Sequence, residues 1–478
     1  MEQIFQLPHS GNTHTVAPQG DGRVVAAVDI GTTKVITLVG REVAGGKVHV
    51  LAYSEEPLPR GSMLRSEVLH TGSVRDAIAK TLADIREKWN IDVREAYVGM
   101  AGSYYRCLNV PINHIRPIGT TEITEYERKE MEEQMYLQPV KPGERILHVA
   151  PQEYRVDNYA GIPNPVGMSG KYLSANYQMF IGSEAPVENS NWCIRQAGLT
   201  LKRGLFKPIA TAQAVLSDDE KEMGVAVVDM GGGTTNVVVY YDKIVRYSAI
   251  VPFGGNTITE DIWDGCGVMR RHANAIKIQY GSCYRDLVNA NTTLVIDMNG
   301  DRETQKIAFS FLAGIIEARV DEIIEAVMYE IGQSGYADKL PSGLVFTGGG
   351  AMMQHLKEFA TAKTGMPVRI VRPIHLTSDS PKDVRHCSYA TAVGLLLQAI
   401  AAENAAVITD QIPATLQTTV PATPIIQRET DETVHIHVGE PATDDTVKTP
   451  TKKTRRKKSV PEAVGDLFKD FFKKDDGV

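Results

Sequence analysis

Cysteine is scarce in this chain of 478 residues: Cys107, Cys193, Cys266, Cys283 and Cys387 are scattered and never spaced CxxC. That excludes a disulfide framework and a cysteine-held zinc site, and it suits a reducing compartment. No apolar run approaches the roughly 18 residues that span a bilayer, so no transmembrane helix is expected. Residues 1–23 lack the basic and apolar stretches of a secretory leader and read as a flexible lead-in. A net charge of -7 argues against a bulk nucleic-acid surface, and no nucleic-acid partner is expected. One local exception stands out: Lys452 to Lys458, KKTRRKK, places six positive charges in seven positions.

What is present is 42% hydrophobic residues, enough for a folded body, which we place from Val24 to Ala401. Residues 402–451 are rich in Thr, Pro and Ala; they cannot bury enough apolar surface to offset chain entropy and read as a linker. Within it, TVHIHV (residues 433–438) alternates like a strand but stands alone.

The body contains an internal echo. VVAAVDIGTTKVITLVG from Val24 reads as strand, tight turn, strand, and GVAVVDMGGGTTNVVVYY from Gly224 repeats it, one Asp closing each first strand. A third strand is expected after each pair, at Lys47 to Tyr53 and Val245 to Pro252. Later, AYVGMAG from Ala96 and LVFTGGG from Leu344 each read as a buried strand running into a Gly-rich turn. Two copies of one α/β unit imply a pseudo-twofold body with a cleft between its halves.

The two turns have the composition of phosphate cradles. Gly31, Thr32 and Thr33 in one, and Gly231, Gly232, Gly233 and Thr234 in the other, let backbone N–H groups and hydroxyls approach an anion. Asp29 and Asp229 cannot face phosphate directly, since both are anionic; they suit the Mg²⁺ that accompanies a nucleotide. A single DxGT would be an ordinary hairpin turn, and the repetition favours the cradle. Lys34 has two readings, a point charge near a terminal phosphate or a solvated surface lysine. Gly348, Gly349 and Gly350 either cap the helix expected from Met352 to Thr364 or let a flat ligand lie against the backbone. Met352 and Met353 could pack on a purine face, although methionine at such places is more often core.

The tail carries a second signal. Val460, Val464, Leu467, Phe468, Phe471 and Phe472 share one face of a helix over residues 459–474, with Ser459 as N-cap and Pro461 in the first turn. The face could dock on the body or in a partner's groove; the basic run at 452–458 favours an anionic membrane. One such helix binds reversibly, and several copies on a polymer multiply through effective concentration. A flexible linker of about 50 residues spans roughly 40 Å, which leaves the body free to meet a partner away from the lipid.

The order DIGTTKV, DMGGGTTN, FTGGGAMM resembles the actin, heat-shock chaperone and sugar kinase superfamily. More narrowly, the chain is similar to the FtsA family of bacterial cell-division proteins, which tether FtsZ filaments to the membrane. GIPNPVGMSGKYLSANYQMFIG from Gly161 resembles that family's 1C subdomain. VPFGGNTITEDI from Val251 resembles its nucleotide-edge segment, ANAIKIQYG from Ala273 its 2B helix, and SYATAVGLLL from Ser388 its closing helix.

The resemblance implies an α/β, actin-like two-lobed ATPase fold of duplicated ribonuclease-H-like units with ATP and Mg²⁺ between the lobes. Subdomain 1A would comprise residues 24–100 and 186–220, 1C residues 101–185, 2A residues 221–260 and 336–401, and 2B residues 261–335. Asp29 and Asp229 would be the metal-side carboxylates, Gly348 to Gly350 would meet the adenosine, Gly254, Gly255 and Asn256 would close its edge, and Lys277 would reach the ribose. Two departures stand out. Asn274 replaces the usual Glu before that lysine, and Lys207 falls where chaperones place a Glu. Gln213 corresponds to the Gln of actins; it can orient a water but is a poor base, so turnover is expected to be slow at most. The implied partners are the FtsZ C-terminal peptide through 2B, further copies in filaments, and the inner face of the cell membrane at the septum. A small-molecule kinase of the same superfold explains both turns but not the tail, and it needs an Asp base that no segment supplies. Another actin-like assembly protein is the third reading.

Overall fold

The two apolar runs that end in Asp29 and Asp229 are buried along their whole length, as strands Val25–Ile30 and Val225–Met230. Such continuously apolar, β-branched stretches belong at the centre of a sheet covered on both faces. The computed structural model describes residues 23–410 apart from 44, 101, 103, 117–121 and 297–303. The expected strand at 433–438, the basic run and the 459–474 helix lie outside the described residues.

Each central strand organises a five-stranded sheet. In the first, Val25–Ile30 pairs antiparallel with Lys34–Val43, which pairs antiparallel with Lys47–Pro57. On its other side it pairs parallel with Glu95–Met100, which pairs parallel with Thr200–Phe206. The second sheet repeats every step. Val225–Met230 is antiparallel to Thr235–Tyr241, itself antiparallel to Ile244–Val251, and parallel to Leu344–Thr347, itself parallel to Val368–Ile370. Even the register agrees, Asp29 standing opposite Ile36 and Asp229 opposite Asn236. The echo in the sequence is therefore a duplication of topology.

The inner faces of the two sheets share one core, in which Ala27, Leu38, Val227 and Val345 pack around two helices, Lys207–Val215 and the long closing helix Ala390–Asp410. These helices touch backbone to side-chain position: a Cβ on Gly394 would lie 1.8 Å from the Ala210 carbonyl oxygen. Gly394→Val is therefore expected to cost more than about 3 kcal/mol, beyond ordinary overpacking. A urea melt checks this, and an unchanged midpoint would show that the two helices do not meet. The closing helix runs to Asp410 past the point at 401 where the linker was expected. Its Ala-rich stretch AAENAA is strongly helix-forming, and Glu403, buried, accepts from Tyr97 Oη at 2.9 Å and pairs with Lys202 and Arg23.

The outer face of the first sheet is covered by helices Thr71–Trp89 and Glu184–Gln196, and that of the second by Gly255–Cys266 and Phe309–Gln333. Two insertions complete the body. Between the strands Glu95–Met100 and Thr200–Phe206 lies a separate four-stranded sheet, in the order Tyr105–Ile115, Tyr172–Ser183, Glu144–Val156, Tyr159–Ile162, with its own core around Met131, Tyr154 and Tyr177. Its helix Glu125–Tyr136 begins with a full capping box, Thr124 with Glu127, and Glu127 is also paired with buried Arg116 at 2.7 Å. In the second lobe the insertion consists of helix Arg270–Tyr280, a hairpin Thr293–Ile296/Gln305–Ala308, and the start of the helix Phe309–Gln333.

Candidate functional site: a cleft between two glycine turns

The turns that follow the two central strands face one another. A Cβ on Gly232 would fall 2.5 Å from Thr33 Cγ2, and one on Gly233 would fall 2.8 Å from Thr32 Cγ2, so the two turns are in van der Waals contact. Each is closed in the same way, Gly31 N–H donating to the Lys34 carbonyl at 3.0 Å and Gly231 N–H to the Thr234 carbonyl at 2.9 Å. Ser66 Oγ lies 3.1 Å from Thr234 Oγ1, and Arg60 pairs with Glu260, which adds two further ties between the lobes.

Behind the turns opens a cleft of about 560 Å³, well within the range of small-ligand sites. It is lined by Asp29, Gly31, Thr32, Thr33, Lys34, Asp229, Gly231, Gly232, Thr234, Gly255, Asn256, Lys277, Gly348, Gly349 and Gly350 among the residues expected from the sequence. Met352, Met353 and Asn274 line it as well. Gly233 and Gly254 are not lining residues; Gly233 packs on Thr32, and Gly254 abuts the Gly231 carbonyl as the N-cap of helix Gly255–Cys266. That helix docks on the second turn through Gly255 N–H to Gly231 O at 2.9 Å and Asn256 N–H to Gly232 O at 2.7 Å. Gln213 is not a lining residue either. It lies on the Lys207–Val215 helix six residues past Lys207, about 120° round the helix from the face that meets the cleft.

The two carboxylates are held from a single helix. Lys207 and Thr211, one turn apart, point the same way. Lys207 Nζ meets Asp29 Oδ1 at 2.8 Å and also donates to the Ile30 carbonyl. The Thr211 and Thr391 hydroxyls, 2.9 Å from each other, each lie 3.3 Å from Asp229 Oδ2. Burial, and then the charge of Asp29, push the Asp229 carboxyl above its usual range against those hydroxyls. Gly348, at φ +86°, closes the other side: a Cβ there would sit 2.4 Å from Asp229 Oδ1, so both its conformation and its lack of a side chain are needed.

The remaining lysines differ in what they meet. Lys34 pairs with Glu55 and lies 4.5 Å from the centre of the Tyr389 ring, so its ammonium is already engaged although the residue lines the cleft. Lys277 donates to the Gly255 carbonyl and to Thr259 Oγ1, both at 2.7 Å, and burial lowers its pKa to about 8. From the third glycine the chain makes a short 3₁₀ turn, Gly350–Met352, and the helix starts only at Leu356, four residues later than Met352. His355, left-handed at φ 62°, redirects the chain there.

Several parts of the cleft wall were not expected from the sequence, among them Ser66, Asn236, the segment His386 to Ser388, and Thr391. Asn236 stands opposite Asp229 across the hairpin and could have been found from the register; Ser66, His386 and Cys387 belong to no local motif, and SYATAVGLLL, which holds Ser388 and Thr391, carries no sign that they face the cleft.

The cleft offers turn N–H groups, hydroxyls and ammonium groups to an anion, and flat glycine backbone with two methionines to a ring. A divalent cation carried by phosphates would find Asp229 as its protein carboxylate, while Asp29 already bears the Lys207 charge. Among the described residues no cluster of three His, Cys, Asp or Glu could hold a metal alone.

Duplicated sheets, facing turns and a cleft between them define an actin-like fold. A PilM-PilN type IV pilus biogenesis complex shares it, with a TM-score of 0.53 at 16% identity, over 79% of this chain and 98% of that one. The family model for cell division protein FtsA matches residues 226–394, and the model for the SHS2 domain inserted in FtsA matches residues 102–181, the separate four-stranded sheet. The cell division protein FtsA of Pseudomonas aeruginosa is 30% identical over 85% of this chain and 96% of its own length. That of Neisseria meningitidis is 32% identical over 78% and 89%, and that of Escherichia coli K12 30% identical over 79% and 90%. The chain belongs to the FtsA family and is an actin-like cell-division protein.

Proposed function

We propose that the chain binds ATP with Mg²⁺ in the cleft and couples FtsZ polymer to the inner face of the cell membrane at the division septum. The facing glycine turns with one aspartate behind each carry the nucleotide reading: two lobes that meet at a polyanion can sense its presence by how closely they approach. Gly31, Thr32, Thr33, Gly231, Gly232 and Thr234 would surround the phosphates, Asp229 would take the metal side, and Lys277 and Asn274 would face the ribose. Among the described residues Asp29 and Asp229 are the carboxylates that line the cleft, one paired with Lys207 and the other buried against two threonine hydroxyls, which favours a nucleotide switch with slow turnover over a kinase.

The segment at 261–335 would receive the FtsZ C-terminal peptide. It exposes Ile278, Tyr280, Leu287, Val295 and Phe311, apolar side chains of the kind that seat a short peptide. Membrane attachment would come from Val464, Leu467, Phe468, Phe471 and Phe472; no helix among the described residues is long and apolar enough to cross a bilayer. Association of copies into filaments would give these weak anchors their avidity.

Co-sedimentation tests the partner. The protein is expected to pellet with FtsZ polymer and to return to the supernatant when an excess of the FtsZ C-terminal peptide is added. Failure to pellet, or pelleting that the peptide does not affect, would remove FtsZ from this reading.

A further inference from the structure

Lys207 occupies an unusual place for a lysine. Its side chain is about nine-tenths buried, it ion-pairs with Asp29 at 2.8 Å, and it lines the cleft alongside both glycine turns and Asp229. The fold makes room for it. Gly99, in the strand Glu95–Met100, lies against its stem, and a Cβ at that position would fall 2.8 Å from Lys207 Cε and 2.6 Å from Leu395 Cδ1. Pro208 in the first turn fixes the start of the helix that carries it. Of the other two lysines on the cleft wall, Lys34 is committed to Glu55 and Lys277 to neutral oxygens beside Gly255.

We propose that Lys207 is a resident cation of the cleft, standing on Asp29 and presenting protein charge to the nucleotide phosphates, so that ATP binding depends only weakly on a divalent ion. The inference rests on the nucleotide reading above and deepens it. A polyanion entering the cleft faces two buried carboxylates, and burial makes uncompensated charge costly. Elsewhere a metal ion would supply all of the compensation; here a covalently attached ammonium supplies one charge permanently, at the first of the two carboxylates. The metal is left with Asp229 alone, which Thr211 of the same helix orients. Because Lys207 is an ammonium and not a carboxylate, it contributes binding and no base, in keeping with slow turnover.

ATP affinity of the full-length protein, measured by equilibrium dialysis with radiolabelled ATP in excess Mg²⁺ and in EDTA, tests the proposal. The wild-type protein is expected to lose no more than about tenfold on metal removal. Lys207→Met keeps the stem and removes the charge; it is expected to lose a further ~10- to 100-fold in EDTA, the size of one charge-assisted hydrogen bond. Lys207→Arg should follow the wild type. A wild-type loss of about 100-fold or more overturns the proposal whatever the variants do, and so does an equal Mg²⁺-to-EDTA ratio in the wild type and Lys207→Met. If the wild type binds ATP in neither buffer, the nucleotide reading falls and this inference with it; binding with equal ratios sinks the lysine alone.

Discussion

Asp229→Ala is expected to weaken Mg-ATP binding by about tenfold, the lower end of what losing an outer partner of a metal costs, and to leave little difference between Mg²⁺ and EDTA. The carboxylate is 7% exposed and sits beneath the second glycine turn, and Asp29, the other carboxylate on the described cleft wall, is paired with Lys207. The same substitution should leave the fold as stable as before, or more so. Burial and Asp29 raise the Asp229 pKa in the folded protein. An acid whose folded pKa is raised loses stability as pH climbs from its unfolded value through the folded one, and the cost is fully present above that window, at neutral pH. Alanine removes the cost, and the Thr211 and Thr391 hydroxyls, 2.9 Å apart, can satisfy one another. Lost binding with an unchanged or higher urea midpoint would thus separate a functional carboxylate from a structural one. Undiminished ATP affinity in Mg²⁺ would remove Asp229 from the metal side.

The second large effect is expected in the tail, outside the described residues. Phe471→Glu combined with Phe472→Glu should release the protein from anionic vesicles while ATP binding is unchanged. Burying a phenylalanine is worth about 1.5–3 kcal/mol, so losing two costs about 10²- to 10⁴-fold in affinity. Two added carboxylates facing anionic lipid increase the loss, at about 1 kcal/mol per charge near the surface. Flotation with vesicles reads the outcome directly. Binding that persists would mean that the apolar face is used against protein, and the basic run alone would have to account for lipid attachment.

The chemistry of the cleft was legible wherever it was local. Asp29 with Gly31 to Thr33, Asp229 with Gly231 to Thr234, and the Gly348 to Gly350 turn each announce themselves within a few residues, because tight turns and close backbone approach demand particular residue types. Lys34 and Gln213 show the limit. Lys34 follows a phosphate turn directly, yet its side chain meets Glu55 from the third strand, a partner that only sheet pairing brings near. Gln213 has the right neighbours in sequence but shares a helix that meets the cleft through Lys207 and braces Asp229 through Thr211. Spacing says which residues lie on one face; it does not say which face the packing of two sheets turns toward the ligand.

The sequence by itself determined the duplicated strand–turn–strand units and the carboxylate at the end of each, since both depend on periodicity and turn chemistry over short stretches. Tertiary structure alone decided that the two turns touch, that Thr391 from the closing helix braces Asp229, and that a lysine rests on Asp29. Those are contacts between segments far apart in the chain, fixed by how two sheets close around a pair of crossing helices, and no local pattern encodes them.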